Sequence, residues 1–246
     1  MGNCQLSVII PCHDFGRYLS GAIASVLNQE SSVKSMEVIV VDDHSCDSET
    51  VDVLESWKNV DSRVYVLENP GMPGSATARN LGIESARGEW LAFLDADDIW
   101  LPGSIQTRWD VIEREEDAQW VCADHLIWLE DGSVEQEGFF MKGDLSRQIF
   151  SQAYDTGTVL RLRKPVRESL TTMLAWTGTV MVKRELMQRL GGFETSLRRA
   201  MDLNMWVRLA NETDLFFIPR VVALYRQHNA SVSHEDVAPH LWDIAA

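Results

Sequence analysis

Cysteine is scarce in this 246-residue chain: Cys4, Cys12, Cys46 and Cys122 are its four thiols, and no two of them form a C-x-x-C pair. That argues against a disulfide-stapled scaffold. The apolar, strand-like surroundings of Cys12 and Cys122 make reduced structural thiols of a cytosolic protein the expectation. Long apolar runs are missing too. The longest are about five residues against the ~20 that cross a bilayer, and the start has no basic flank leading into an apolar core, so neither a transmembrane segment nor a secretory leader is expected. Positive charge is in deficit, with 22 lysines and arginines facing 37 aspartates and glutamates for a net charge of −15 at pH 7 and a pI near 4.7. Such a balance opposes nucleic acid and anionic membrane surfaces, and an anionic substrate would need a metal ion or local arginines. Aligned repeats are absent, which removes solenoids. No G-x-G-x-x-G follows the first predicted strand, which argues against a nicotinamide-dependent dehydrogenase.

What is present is an ordinary globular composition, 45% hydrophobic and 24% charged. The length suits one α/β domain burying roughly 70 to 75% of its unfolded surface. The chain is organised around Trp90-Leu91-Ala92-Phe93-Leu94-Asp95-Ala96-Asp97-Asp98, an apolar run that stops at three carboxylates. Bounded by Gly88 and by Pro102-Gly103, the run predicts a buried central strand with acids where it leaves the sheet. In open α/β sheets ligands gather at the carboxyl ends of strands. Clustered aspartates there are hard oxygen ligands for Mg²⁺ or Mn²⁺, and a diphosphate is the simplest cargo for such an ion. The plainer alternative gives Asp98 a helix-capping role ahead of Pro102.

In chain order, Leu6 to Pro11 predicts the first strand, and Leu19, Ala22, Ile23, Val26 and Leu27 the apolar face of a helix. The loop Cys12-His13-Asp14-Phe15-Gly16 lies between them. Met36 to Val41 predicts a second strand buried on both faces, ending in Asp42-Asp43-His44-Ser45. These acids either accept hydrogen bonds from a base or ribose, or, with Asp47, start the helix through Val51, Leu54 and Trp57. Arg63 to Leu67 reads as a third strand, followed by the turn-rich Asn69 to Gly74. A helix from Ser75 to Ala86 then carries Arg79, which either pairs with a carboxylate or reaches a phosphate, with Gly88 as the expected residue just past the helix end. The order βαβαβαβ requires right-handed crossovers and a parallel sheet.

Beyond the acids, Ile105, Trp109 and Ile112 mark a helix that ends in the charged, solvated run Glu113 to Asp117. Trp120 to Leu129 reads as a strand turning at Asp131-Gly132. Phe139 to Thr172 shows weak periodicity and holds Arg161, Arg163, Lys164 and Arg167, either a seat for an anionic acceptor or plain surface. Thr179 to Val182 is a short strand, Arg184 to Leu190 a short helix stopped by Gly191-Gly192, and Asp202 stands at the N-cap or first turn of a helix through Leu203, Met205 or Trp206, and Leu209. Leu215 to Ile218 and Val221 to Tyr225 close the chain as two strands, before Arg226-Gln227-His228-Asn229 and a polar tail.

Taken together, these residues resemble the family 2 glycosyltransferases. The resemblance rests on Ser7-Val8-Ile9-Ile10-Pro11, Val40-Val41-Asp42-Asp43-His44-Ser45, Ala78-Arg79-Asn80-Leu81-Gly82 with Gly88, Phe93-Leu94-Asp95-Ala96-Asp97-Asp98 with Leu101-Pro102, Gly191-Gly192-Phe193, Asp202 with Trp206, and Tyr225-Arg226-Gln227-His228. They stand in family order from about residue 5 to residue 233. Each is weak alone; the order makes them specific. The resemblance implies the GT-A fold, an α/β architecture with a Rossmann-like mixed, mostly parallel central sheet flanked by helices. It implies one domain over 1–246, with a nucleotide-sugar-binding half over 1–98 and an acceptor-binding half over 99–246.

Carried over by position, the resemblance implies that Pro11 and Asp43 lie at the nucleotide base with Asp42 supporting their loop, and that Arg79 belongs to the donor site. Asp95 and Asp97 become the D-x-D pair, Asp97 holding a divalent Mn²⁺ or Mg²⁺ on the diphosphate and Asp95 the ribose or the metal shell. His228 falls near the phosphates or the metal. Asp202 becomes the general base of an inverting transfer from a nucleotide-sugar donor, a UDP-sugar in first place, to a glycan or lipid-linked acceptor. The chemistry agrees, since the attacking hydroxyl needs a proton acceptor and the departing diphosphate needs charge neutralisation. Members of that family often build cell-surface polysaccharide or lipid-linked glycans, so the resemblance implies a cytoplasmic enzyme working beside the membrane, with peripheral association at its inner face as a further expectation.

One residue departs from the pattern. Met201 stands where the family often has glutamate, which leaves Asp202 without its usual neighbour. A degenerate module that binds a nucleotide sugar without turnover is the alternative this supports. A sugar nucleotidyltransferase would need a Gly- and Lys/Arg-rich first loop, where this chain has the short, acidic Cys12 to Gly16.

Overall fold

The computed structural model describes residues 4–228; residues 1–3 and 229–246, with Asn229 and the polar tail expected after it, lie outside the described residues. The first half lays down β1 (Leu6–Cys12), α1 (Gly16–Leu27), β2 (Met36–Asp42), α2 (Ser48–Trp57), β3 (Val64–Glu68), α3 (Ser75–Ser85) and β4 (Trp90–Phe93). Their strands pair in parallel in the order β3-β2-β1-β4, as the βαβ alternation requires. Near-continuous apolar strands are the consequence of a sheet covered on both faces. In β1, Leu6, Val8 and Ile10 join a core layer with α1 and α2, while Ile9 joins the layer under α3.

The second half contributes β5 (Ile99–Trp100), α4 (Ser104–Arg114), β6 (Trp120–Trp128), α5 (Asp144–Thr156), β7 (Leu160–Leu162), α6 (Val166–Thr171), β8 (Met181–Lys183), α7 (Arg184–Arg189), α8 (Met201–Glu212) and β9 (Leu215–Arg226). Among the described residues, one mixed sheet runs β3-β2-β1-β4-β8-β6-β9-β5, with β7 also paired to β9. Here β8 is antiparallel to β4 and β6, whereas β6 and β9 are parallel. Helices α1, α2 and α4 pack on one face, and α3, α5, α7 and α8 on the other. No helix of the described residues is long and apolar enough to cross a membrane.

Several sequence expectations need correction. The two closing strands are one, β9, whose register against β6 shifts around Asp124, so that the pairing continues past Pro219-Arg220 instead of breaking there. The weakly periodic stretch from Phe139 hides α5, whose buried residues are Ser146, Phe150 and Ala153. A serine and an alanine in the buried stripe blur the period. Asp124 of β6 pins this segment by accepting from the Phe140 amide and the Tyr154 hydroxyl. Nor does Gly88 close α3, since the residue after that helix is the extended Ala86. A Cβ at Gly88 would stand 2.4 Å from the Ser7 amide nitrogen, so glycine is needed there for close approach between chain segments.

That approach belongs to a buried polar knot. Ser7 Oγ donates to Glu37 Oε1 at 2.6 Å and accepts from the Gly88 amide at 2.8 Å, while the Arg87 amide and Nε donate to the same carboxylate, each at 2.7 Å. Burial raises the Glu37 pKa, but these donors outweigh it and hold the carboxyl below its ordinary value. The knot fixes the entry to β4, and hence the strand that delivers the three acids.

Candidate active site

Where β4 leaves the sheet the chain turns tightly, the Asp98 amide donating to the Asp95 carbonyl at 3.1 Å, and the three carboxylates take different partners. Asp95, the most exposed, accepts from Arg79 Nη2 at 2.5 Å. Arg79 is buried on α3, its guanidinium 5.6 Å from the centre of the Phe193 ring. Asp97 Oδ2 lies 2.9 Å from His228 Nε2. Asp98 is wholly buried; Oδ1 accepts from the Arg226 amide at 2.8 Å, and Oδ2 has no hydrogen-bond partner among the described residues.

Burial, then the charge of Asp95, pushes the Asp97 carboxyl up against the pull of His228. Burial with Asp97 and Asp95 beside it holds Asp98 well above the ordinary carboxylate range. Asp98 does not cap the following helix, because α4 begins after Gly103, whose φ of 81° is left-handed, with no side-chain cap.

The topology explains how His228 arrives. Directly after the acids, β5 pairs Ile99 with Leu224 and Trp100 with Ala223, which lays the end of β9 across the carboxylates. Arg226 then donates from Nε to the Asp97 carbonyl at 2.8 Å, its guanidinium carbon 4.6 Å from the centre of the Tyr18 ring and 3.6 Å from that of Trp128. His228 stacks on Tyr18 at 5.5 Å and meets Phe15 edge-on at 5.6 Å. Sequence reasoning missed Arg226 and Tyr18 as site residues. Arg226 had a signal, its place two residues before His228; Tyr18 had none, because its contacts exist only once α1 lies against β9.

At the neighbouring strand ends, Pro11 of β1 sits opposite Val41, and Cys12 opposite Asp42. Asp42 Oδ1 accepts from the Ser45 amide at 3.0 Å, supporting its own loop. The buried Asp43 is more heavily engaged than expected of a base-binding acid. Its Oδ1 accepts from Asn69 Nδ2 at 2.6 Å and its Oδ2 from the Gly74 amide at 2.7 Å, which ties the turn before α3 to the sheet. His13 Nδ1 donates to the Asp43 carbonyl at 2.6 Å.

Asp202 is in the first turn of α8 and is not its N-cap, a position held by Ala200 with φ 54°. Asp202 Oδ1 accepts from the Leu203 amide at 2.8 Å. Two contacts bring α8 and the loop before it to the donor side. The Ser75 hydroxyl, at the start of α3, lies 4.0 Å from the Met201 sulfur, and Asn80 of α3 clamps Phe193, its amide group donating at 2.8 Å and its carbonyl accepting at 2.8 Å. Gly192 makes that clamp feasible, with φ 71° and space for a Cβ only 2.4 Å from Asn80 Oδ1. The structure therefore groups Arg79, Asp95, Asp97 and His228 around one strand end. Pro11, Asp42 and Asp43 stand at the adjacent ends, and Asp202 is linked to them through α3. Arg161 lies elsewhere, opposite Phe216 at the far end of β9 and paired with Asp117 at 2.5 Å and Asp214 at 2.8 Å.

With this geometry in place, comparison with known proteins is informative. A family model described as glycosyl transferase family 2 matches residues 7–170. The putative teichuronic acid biosynthesis glycosyltransferase TuaG of Bacillus subtilis is 27% identical over 93% of this chain and 81% of its own length. The UDP-Glc:alpha-D-GlcNAc-diphosphoundecaprenol beta-1,3-glucosyltransferase WfgD of Escherichia coli is 37% identical over 44% of this chain and 41% of its own. Among solved structures, S. aureus TarS in complex with UDP-GlcNAc superposes with a TM-score of 0.71 at 19% identity, over 95% of this chain and 62% of that one. Other relatives are longer too: this chain spans 63% of a Haemophilus influenzae glycosyltransferase and 42% of GlyG from Streptococcus pneumoniae.

Proposed function

The chain belongs to glycosyl transferase family 2, and on that premise we propose that it moves a sugar from a nucleoside-diphosphate donor, a UDP-sugar, to an acceptor hydroxyl with inversion at the anomeric carbon. The observation that carries the reading is the Asp97–His228 pair beside the unpartnered, buried Asp98 Oδ2, at the carboxyl end of a central parallel strand. Among the described residues no three acids, histidines or cysteines converge as a ready metal cage. Such an arrangement suits a magnesium-type ion, which takes one or two carboxylates from the protein and completes its shell with phosphate oxygens and water. Burial, with neighbouring acids, raises Asp97 and Asp98, and one Asp98 oxygen has no hydrogen-bond partner among the described residues, so a bound cation would compensate charge that the fold makes costly. Asp97 and His228 would hold the ion, which when bound would neutralise the departing diphosphate.

The chain's own groups divide the remaining work. Asp95, held by Arg79, takes the ribose; Pro11, Asp42 and Asp43 shape the loops that border the base. With Asp202 Oδ1 on the Leu203 amide, its second oxygen takes the proton from the acceptor hydroxyl. The acceptor oxygen bonds to the anomeric carbon as the bond from that carbon to the diphosphate breaks. Met201 leaves the orientation of that hydroxyl to Asp202 and the acceptor itself. The donor in the name of WfgD and the TarS complex support a UDP-sugar, and TuaG and WfgD support a glycan or lipid-linked acceptor, which would place the work at the inner face of a membrane. Residues 1–98 would serve the donor and 99–246 the acceptor.

Calorimetric titration with UDP and with GDP, each with and without Mn²⁺, tests the site. Metal-dependent binding of UDP, lost in Asp97→Asn, is the expected result. Binding of neither nucleotide under any metal condition would leave a fold without a donor site and overturn the reading.

A further inference from the structure

In a chain with a net charge of −15, residues 157–174 hold four cations and a single acid, Glu168. Arg161 is neutralised by Asp117 and Asp214, as Arg63, Arg87 and Arg147 are by acids of their own. Arg163, Lys164 and Arg167 differ. All three are exposed, and among the described residues no carboxylate lies within ion-pair distance of their side chains. Beside them stand two large apolar residues that the fold leaves in water, Leu170 at 67% and Met173 at 38% exposure. The inward side of this short segment is buried through Pro165, Ser169 and Leu174, so the outward side is set by packing. Arg167 and Leu170 lie one turn apart on α6, a helix only about 9 Å long, and the exposed Arg163, Lys164 and Met173 flank it within three residues of its ends.

We propose that this patch is a docking surface for anionic lipid bilayers, with Arg163, Lys164 and Arg167 on headgroup phosphates and Leu170 and Met173 in the interfacial layer. Exposed apolar side chains rimmed by unpaired cations match a surface that is itself anionic outside and apolar beneath. The overall negative charge, which by itself opposes such a surface, does not prevent the contact. At physiological ionic strength charges beyond about 8 Å are largely screened, which leaves Glu168 and Asp214, the latter accepting from the Lys164 amide at 3.1 Å, as the local acids set against the three cations. Its position gives the docking a consequence: α6 packs against α8, the helix whose first turn carries Asp202. A bilayer seated there lies beside the acceptor half of the molecule.

Flotation of the full chain with vesicles of phosphatidylglycerol and phosphatidylcholine, and with phosphatidylcholine alone, tests this without donor or acceptor. The protein should float with the anionic vesicles and not the neutral ones, and added salt should weaken it. The triple variant Arg163→Gln, Lys164→Gln, Arg167→Gln should lower the partition coefficient roughly 100-fold, at about fivefold per cation. Leu170→Ser with Met173→Ser should lower it at low and high salt alike. Both variants change exposed side chains, and unaltered circular dichroism and UDP binding verify their fold. Equal flotation with both vesicle types, no flotation, or a triple variant that floats like the parent overturns the proposal. So does self-association abolished by the Leu170/Met173 variant, which would assign the face to a second copy. Asp97→Asn should float like the parent, so failure of the donor site and failure of this surface are read separately.

Discussion

Asp97 and Asp202 stand at opposite ends of the proposed transfer, and at the residue scale their substitutions should fail in different ways. Asp97→Asn removes half of the Asp97–His228 pair and should abolish metal-dependent nucleotide affinity. Asp202→Asn should keep that affinity and lower turnover by about 100-fold or more, the usual cost of losing a general base. Sugar-nucleotide turnover measured beside calorimetric binding separates the two, and full turnover in both variants contradicts the site. The acids are legible in the sequence because a buried apolar strand has no packing use for three carboxylates at its end. Arg226 is less so. Its Nε on the Asp97 carbonyl and its amide on Asp98 make it a positioning residue. Arg226→Ala should weaken metal-dependent UDP binding by roughly tenfold or more, as loss of outer partners does at other metal sites, while nucleotide binding without metal should change little. Equal metal-dependent affinity in parent and variant would reduce Arg226 to packing.

At the scale of elements, the placement of β4 depends on the knot of Ser7, Glu37, Arg87 and Gly88. The Glu37 pKa lies below its ordinary value of 4.5. Its contribution to stability is therefore complete above that value, fades as pH falls through the lowered one, and is absent below both. Glu37→Gln should cost roughly 1 to 3 kcal/mol at neutral pH by leaving buried donors poorly matched. The gap between parent and variant should narrow as pH falls below 4.5 through the lowered value, read from denaturant unfolding at several pH values; a gap that stays constant contradicts the role given to the carboxylate. The first six elements are legible from their apolar spacing and the turn residues between them, and α2 also from a conventional cap, Asp47, which accepts from the Thr50 amide at 2.8 Å. The two-residue β5 is invisible, since no periodicity can be read over two positions. Yet β5 is what brings β9 and His228 to the acids.

At the scale of the whole molecule, β8 pairs with β4, so a single sheet crosses the proposed boundary at Asp98. Core and sheet are shared, and calorimetry should show one cooperative transition; two resolved transitions would mean that the halves fold separately. UDP with Mn²⁺ at a hundred times its dissociation constant should stabilise the parent by about 2.7 kcal/mol and leave Asp97→Asn unmoved. The sequence by itself determined the α/β class, the parallel half-sheet, the strand that carries the acids and most site candidates, because hydrophobic period and strand-end chemistry are local properties. Tertiary structure alone decided which acids face which partners: that Asp43 is absorbed by the turn before α3, that Asp98 is buried under Arg226, and that α8 and the loop before it meet α3 through Met201 and Phe193. It also left Arg163, Lys164 and Arg167 bare while neutralising Arg161. Each of these depends on contacts between residues far apart in the chain, set by strand order and register, and no local pattern encodes them.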